Sequence, residues 1–372
     1  MNKPNAIYVH IPFCKARCGY CAFCSCTDFS LVDAYFNRLF DEIDNCPVVD
    51  GTVIDTLFFG GGTPSSVGEV RLVTLIDRLR AKFPFAPNAE ITVECNPEST
   101  GHTLLSSLAQ VGVNRISFGL QSVNDSTLRR IGRLHNYADF LQALACAHSC
   151  GITNVNADLI LGLPESFADF RHSADTVASL PLTHVSVYAL ELHQGTPFAD
   201  YCARHFPHDD DTLADMYDYA LSSLHNAGFA RYEVSNFAKD GYPCRHNLNY
   251  WQEGEYYAFG ASASGFVSGI RFTNVSSVTE YIGSHDPVDF SEVVTPVNQA
   301  NEFVMLGLRL SGGISLDEFS HRFGTDFHTL FPAAANLMAQ GFLVESGGNV
   351  FVPAHKFYVL NSILAELLNF QD

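Results

Sequence analysis

Cations are scarce in this chain. Its 372 residues hold 21 Lys and Arg against 40 Asp and Glu, a net charge of −19. Nucleic acid and anionic membrane surfaces both require a basic footprint, so neither is expected as the main partner, and the acidity reads as a solubility device. No stretch of 18 apolar residues occurs, so no membrane-spanning helix is expected. The start, Met1-Asn-Lys-Pro-Asn5, runs straight into Ala6–Pro12. It lacks the long apolar segment and small-residue cleavage site of a secretory signal, and the sequence therefore predicts a cytoplasmic protein with reduced cysteines. Charged residues are few, at 16%, whereas 47% are hydrophobic. That excludes a disordered chain and provides for a large core, enough for one large domain and a small one. Eleven cysteines are present. The number is odd and the chain long, which argues against a disulfide-stapled scaffold and for ligation or catalysis.

β-rich runs alternate with amphipathic segments along the first half. Strands are predicted at 6–11, 56–59, 90–95, 115–119, 154–161 and 184–190, and helices at 31–44, 67–82, 101–112, 137–151 and 169–180. Such alternation implies βαβ units around a parallel sheet. The expected fold class is α/β, a partial (β/α)6 TIM-like barrel spanning residues 1–270. Polar, glycine and proline residues fall just after the strands: His10, Gly60–Pro64, Glu94–Pro97, Gln121, Asp158 and Gly162–Pro164. In a barrel these loops form the C-terminal face, where active sites sit. A further helix is predicted at 212–227, with β-rich runs at 232–237 and 256–267. Residues 284–287 read as a linker. Beyond it, helices at 299–310, 316–323, 331–340 and 359–368 surround a hairpin across Ser346-Gly-Gly-Asn349. This suggests a small winged-helix-like α+β domain over 286–372.

The densest chemistry lies in Cys14-Lys-Ala-Arg-Cys18-Gly-Tyr-Cys21. Three thiolates on one loop can hold three irons of a cubane and leave the fourth open to a ligand. Zinc favours paired C-x2-C knuckles and four ligands. With Cys24 and Cys26 nearby, the spacing alone leaves zinc open, and the position after a first barrel strand favours the cluster. Gly60-Gly-Gly-Thr-Pro64 follows the second strand, and glycines there would let backbone approach a ligand closely.

The cysteine spacing resembles that of the radical S-adenosylmethionine superfamily. Six further stretches resemble one branch of it, the oxygen-independent coproporphyrinogen dehydrogenases and the related haem chaperones: Tyr8-Val-His-Ile-Pro-Phe-Cys14, Gly60–Ser65, Glu94-Cys-Asn-Pro97, Gly112–Ser122, Asp158–Pro164 and Tyr232–Ala238. The resemblance implies a [4Fe–4S] cluster on Cys14, Cys18 and Cys21. It further implies S-adenosylmethionine on the open iron. Tyr8 and Tyr20 would flank the cluster loop, and Gly62 and Thr63 would meet the methionine end. Glu94, Gln121, Arg133 and Asp158 would supply polar contacts. These residue types suit the task, because carboxylates can take ribose hydroxyls or an ammonium and arginine can pair with a carboxylate.

Cys244-Arg-His246-Asn247-Leu-Asn-Tyr250-Trp251 separates the two activities of the branch. It is similar to the H-N-x-x-Y-W pattern of the haem chaperones. The resemblance implies haem as cargo, with His246, Asn247, Tyr250 and Trp251 as candidate contacts and haem-dependent enzymes as recipients. Imidazole is a common haem ligand, and Tyr250 and Trp251, the only tryptophan, offer flat apolar faces. On residue types alone, a structural histidine in a loop with buried aromatics is the favoured reading, and the resemblance reverses it. Only a few residues precede the first strand, where the dehydrogenases carry an extension. Phe23 stands where they carry a further cysteine, and cations to hold several propionates are scarce. The chaperone is therefore the expected function, with the dehydrogenase as the alternative and a dimer left open. Ser264 stands where the branch usually has histidine, and Lys356 where it usually has glycine.

Overall fold

The structure is a computed structural model that describes residues 3–199 and 208–368. Six parallel strands form its centre: β1 (Ala6–Ile11), β2 (Ile54–Gly61), β3 (Phe85–Cys95), β4 (Arg115–Gln121), β5 (Asn154–Leu161) and β6 (His184–Ala189). Alternation of side chains along each strand divides two environments. Ile7, Val9, Ile11, Leu57, Phe59 and Val93 point outward into the main apolar cluster. Tyr8, His10, Thr56, Glu94 and Asp158, one register step away, point to the concave side.

Helices cover the outer face because their apolar residues recur every three or four positions. Helix Val32–Asn45 buries Val32, Tyr35, Phe36, Leu39 and Ile43. Two later helices begin in full capping boxes, Asn136 with Asp139 and Ser166 with Asp169. Each reciprocal pair satisfies backbone N–H groups that the first turn leaves open.

Among the described residues the sheet does not close. β6 pairs antiparallel with β8 (Asn236–Ala238), itself paired with β7 (Ala230–Arg231). On the other side β9 (Tyr256–Phe259) lies parallel to β1. β10 (Ser264–Val267), β11 (Ile270–Asn274) and β12 (Val288–Val293) follow antiparallel. The order among described residues is β12-β11-β10-β9-β1-β2-β3-β4-β5-β6-β8-β7. The expected partial barrel is present and is extended at both edges.

Some boundaries differ from expectation. Residues 232–237 are a turn entering β8 rather than one strand, because Glu233 folds back to accept from the Ser235 N–H at 3.1 Å. The glycine loop after β2 begins inside the strand, with Gly60 and Gly61 still paired to His10 and Ile11. The helix expected from residue 331 begins at Ala334, after Pro332. Past residues 284–287 the chain returns to the large sheet as β12, and the second apolar cluster starts at Ala300. That cluster holds helices Pro296–Gly307, Leu316–Phe323 and Leu360–Leu367 beside a sheet of β13 (Ile314–Ser315), β14 (Val344–Ser346) and β15 (Asn349–Phe351). Gly347 and Gly348 turn the hairpin with φ of 61° and 80°, the left-handed pair a two-residue turn of this type needs. Among the described residues no helix is long and apolar enough to cross a membrane.

Candidate functional site

The loop after β1 is closed on itself before any cofactor is considered. Cys26 N–H donates to the Pro12 carbonyl at 2.7 Å and Cys14 N–H to the Cys26 carbonyl at 3.0 Å. These bonds tie the two ends of the cysteine segment together. Its middle is tied to the barrel rim, where Gly19 N–H donates to the Ile131 carbonyl at 3.2 Å. Cys14, Cys18 and Cys21 are half-buried and free of disulfides. Burial pushes the Cys14 and Cys21 thiols up, and Arg133 acts in the opposite sense on both. Arg133 also donates to Cys18 Sγ at 3.5 Å. Cys24 and Cys26 are engaged otherwise: Cys24 Sγ donates to the Ser276 carbonyl at 2.9 Å and Cys26 Sγ faces the Asp28 carbonyl at 3.8 Å.

The glycine loop packs directly on the cysteine loop. Gly62 N–H reaches the Ile11 carbonyl and Thr63 N–H the Phe13 carbonyl, both at 2.9 Å. A Cβ on Gly62 would stand 2.6 Å from the Pro12 carbonyl carbon, so only glycine allows this approach. Thr63 Oγ1 then lies 3.4 Å from Cys14 Sγ and accepts from Asn96 Nδ2 at 3.0 Å. Asn96 Oδ1 accepts from Arg133 at 2.7 Å. Asn96 thus links Thr63 to Arg133, a role not read from the sequence although it sits in Glu94-Cys-Asn-Pro97.

Deeper in the barrel, Glu94 and Asp158 lie within electrostatic reach of each other. Burial, with Asp158 beside it, pushes the Glu94 carboxyl up to about 8. Burial raises Asp158 as well, against a 2.7 Å bond from Asn156 Nδ2. A pair held this way invites a cation or hydroxyl donors. Gln121 is buried with φ of 73°, and its Oε1 has no partner. A non-glycine residue in that conformation with an orphaned acceptor marks a built site. Tyr8 OH bonds His10 Nδ1 at 3.0 Å. Tyr20 packs against the small cluster of Leu128, Ile131, Ile160, Leu163 and Phe198.

The donor set suits the groups that the cysteine pattern implies. Three free thiols share one loop, with an adjoining cation, a glycine-lined approach, an orphaned amide oxygen and a carboxylate pair. Among the described residues no three His, Cys, Asp or Glu converge on a single ion.

The H-N-x-x-Y-W segment lies elsewhere. It forms helix Arg245–Trp251, packed on β2 and β3. His246 is buried, and both ring nitrogens are engaged: Nδ1 with Thr56 Oγ1 and Nε2 with Tyr250 OH, each at 2.8 Å. Its ring stacks on Phe58 with centroids 5.1 Å apart. Burial, aided by Arg115, pushes its pKa down to about 3, so it is neutral. Glu90, inside β3, accepts the Arg245 and His246 N–H groups at 3.2 and 3.1 Å and so caps the helix start. Trp251 is half-buried, and its indole Nε1 has no partner. Thr56 and Glu90 were missed in the sequence because nothing marks a strand residue as the seat of a distant helix. Ser264 bonds Thr273 across β10 and β11 at 2.8 Å, on the exposed side.

Residues 8–177 match the radical SAM superfamily and residues 294–355 the HemN C-terminal domain. The haem chaperone HemW of Bacillus subtilis (strain 168) is 35% identical over 369 residues, covering 96% of this chain and 97% of that one. HemW of Escherichia coli (strain K12) is 33% identical, with 97% of each chain covered. This chain belongs to the HemW family of radical SAM proteins. HemW of Mycobacterium tuberculosis (strain ATCC 25618 / H37Rv) is 37% identical over 85% of this chain and 84% of its own. The solved coproporphyrinogen III oxidase HemN of Escherichia coli superposes with a TM-score of 0.85 over 98% of this chain and 90% of its own, at 22% identity. It supports the fold. The superfamily implies a [4Fe–4S] cluster and S-adenosylmethionine.

Proposed function

We propose that this HemW-family chain binds haem and passes it to haem-dependent proteins, on a scaffold that carries a [4Fe–4S] cluster and S-adenosylmethionine. The observation that carries the reading is identity above 30% to haem chaperones over nearly the whole chain. Coproporphyrinogen dehydrogenation is the second reading; it rests on the shared fold with HemN at 22% identity.

In this reading Cys14, Cys18 and Cys21 would hold the cluster, which would supply one-electron chemistry to bound S-adenosylmethionine when an external reductant charges it. The chain's own residues set the surroundings. Arg133 balances thiolate charge beside Cys18. Gly62 and Thr63 bring backbone and hydroxyl to the methionine end. Glu94 and Asp158 would receive the ammonium and ribose hydroxyls. Gln121 directs its unpartnered Oε1 to a donor on the cofactor, and Tyr8 and Tyr20 bound the space.

Helix Arg245–Trp251 supports the barrel from below. Iron ligation by His246 would require breaking one of its two ring bonds, so we read this residue as positioning β2 against the helix. The test is haem titration of anaerobically reconstituted protein. A Soret band and quenching of Trp251 at low micromolar haem are expected. Their absence, with protoporphyrinogen formed from coproporphyrinogen, would replace this reading with the second.

A further inference from the structure

If His246 is committed, the iron of a bound haem needs another ligand. A cavity of about 900 Å³ lies on the outer face of the sheet, between helix Val32–Asn45, strands β9–β11 and residues 282–288. That is the upper end of the range for small-molecule sites, about 300–1,000 Å³. Its walls include Tyr257, Phe259, Val267, Phe272 and Ile282. Aromatic and aliphatic walls suit a flat, largely apolar macrocycle.

Register separates this cavity from the cysteine loop. Tyr257 pairs with Ile7 and Phe259 with Val9, while Tyr8 pairs with Ala258. Successive residues face opposite sides of a sheet, so the walls formed by Tyr257 and Phe259 back onto the side opposite Tyr8.

The rim carries an imidazole. Arg38 Nε donates to the Ser284 carbonyl at 2.8 Å and Nη2 to the His285 carbonyl at 3.2 Å. This grip fixes the backbone of His285 at the mouth. The His285 ring has no hydrogen bond or ion pair, and the residue is exposed. Cys46 also lines the space, but burial pushes its thiol up to about 12, which keeps the proton on sulfur. Imidazole is the readier ligand at neutral pH. The Arg38 Nη1 group makes no hydrogen bond and is available to a propionate. Asp41 and Asp286 on the same rim direct the carboxylate edge of the macrocycle away from themselves and toward Arg38.

We infer that this cavity is the haem cargo site, with His285 as axial ligand, on the face of the sheet opposite the cofactor. The inference rests on the haem-chaperone reading. It separates cargo from radical chemistry, so that haem is carried without contact with the cluster.

The test titrates the reconstituted full chain with haemin and with metal-free protoporphyrin IX. Three variants are compared with wild type: His285→Ala, Gly283→Trp and His246→Gln. Gly283 lines the cavity, and a Cβ there meets nothing within 4 Å, so tryptophan fills the space without disturbing the helix. Circular dichroism and iron–sulfur absorbance monitor fold and cluster. His285→Ala should weaken haemin binding at least tenfold and shift the Soret band, with metal-free porphyrin unaffected. Gly283→Trp should weaken both, and each variant should keep its cluster. His246→Gln should keep the wild-type Soret position. Wild-type titrations from both His285→Ala and Gly283→Trp would overturn the site and leave the chaperone reading standing. Loss of haem in folded His246→Gln alone would also overturn it. Absence of haem uptake by wild type would overturn the chaperone reading and the site together.

Discussion

The mouth of the barrel and its floor both bury polar residues, and they differ in how those residues are engaged. At the floor His246 holds Thr56 with one nitrogen and Tyr250 with the other, and Glu90 caps the helix beneath. At the mouth Gln121 leaves an oxygen without a partner, and burial raises both Glu94 and Asp158, with Asp158 adding to the rise at Glu94. Buried polar groups in folded proteins are normally paired. An imidazole paired on both nitrogens is built to hold structure, and a buried acceptor left open is built to hold a ligand. The contrast separates two places in this chain: Gln121 at the mouth keeps an acceptor open to a ligand, and His246 seats its helix on β2.

The contrast can be broken in four ways, from the largest effect to the smallest. Cys14→Ser should abolish the iron–sulfur absorbance on reconstitution while leaving the unfolding midpoint within about 1 kcal/mol of wild type, since Cys14 is only half-buried. A cluster retained at full occupancy would remove Cys14 from the ligand set. His246→Ala should do the reverse. It leaves two buried hydroxyls unpaired and a void beneath Phe58, costing about 2–4 kcal/mol by denaturant unfolding, with cluster uptake intact. Gly62→Ala should disturb the mouth alone, because its Cβ meets the Pro12 backbone beside the cysteine loop. A loss of about 1–3 kcal/mol is expected, together with weaker S-adenosylmethionine binding.

The smallest effect is a pH dependence. The folded Glu94 carboxyl titrates near 8, above its ordinary value of 4.5. A group whose folded pKa is raised contributes stability that is present below the unfolded pKa and lost as pH rises through the folded one. The cofactor-free chain should therefore lose stability between about pH 4.5 and 8. Glu253 adds to the same window, so the difference between wild type and Glu94→Gln isolates Glu94. Identical slopes in the two proteins would mean that the carboxylate pair is not as closed to water as its burial indicates.

Much of this was legible in the sequence, for physical reasons. Period-two alternation at 6–11 and 154–161 places strands correctly because one face must meet helices. Polar residues clustered after strands because the loops there are the ones left to bind ligands. The edge strands β7, β11 and β12 were less legible. They are short or exposed, with little apolar pattern to fix them; all six residues of β12 are exposed. Asn96, Thr56 and Glu90 escaped notice for another reason. Their roles are relations to Arg133, His246 and a helix N-terminus 37 to 190 residues away in sequence, known only once the chain is folded. The H-N-x-x-Y-W pattern was visible as a motif, but sequence does not reveal that its imidazole is committed on both sides.

The most direct measurement gives one reconstituted sample both alternatives. Anaerobic protein with reductant and S-adenosylmethionine is offered haem in one cell and coproporphyrinogen III in another. A Soret band at one haem per chain, with no protoporphyrinogen formed, is the predicted result. Vinyl formation from coproporphyrinogen without haem uptake would contradict it.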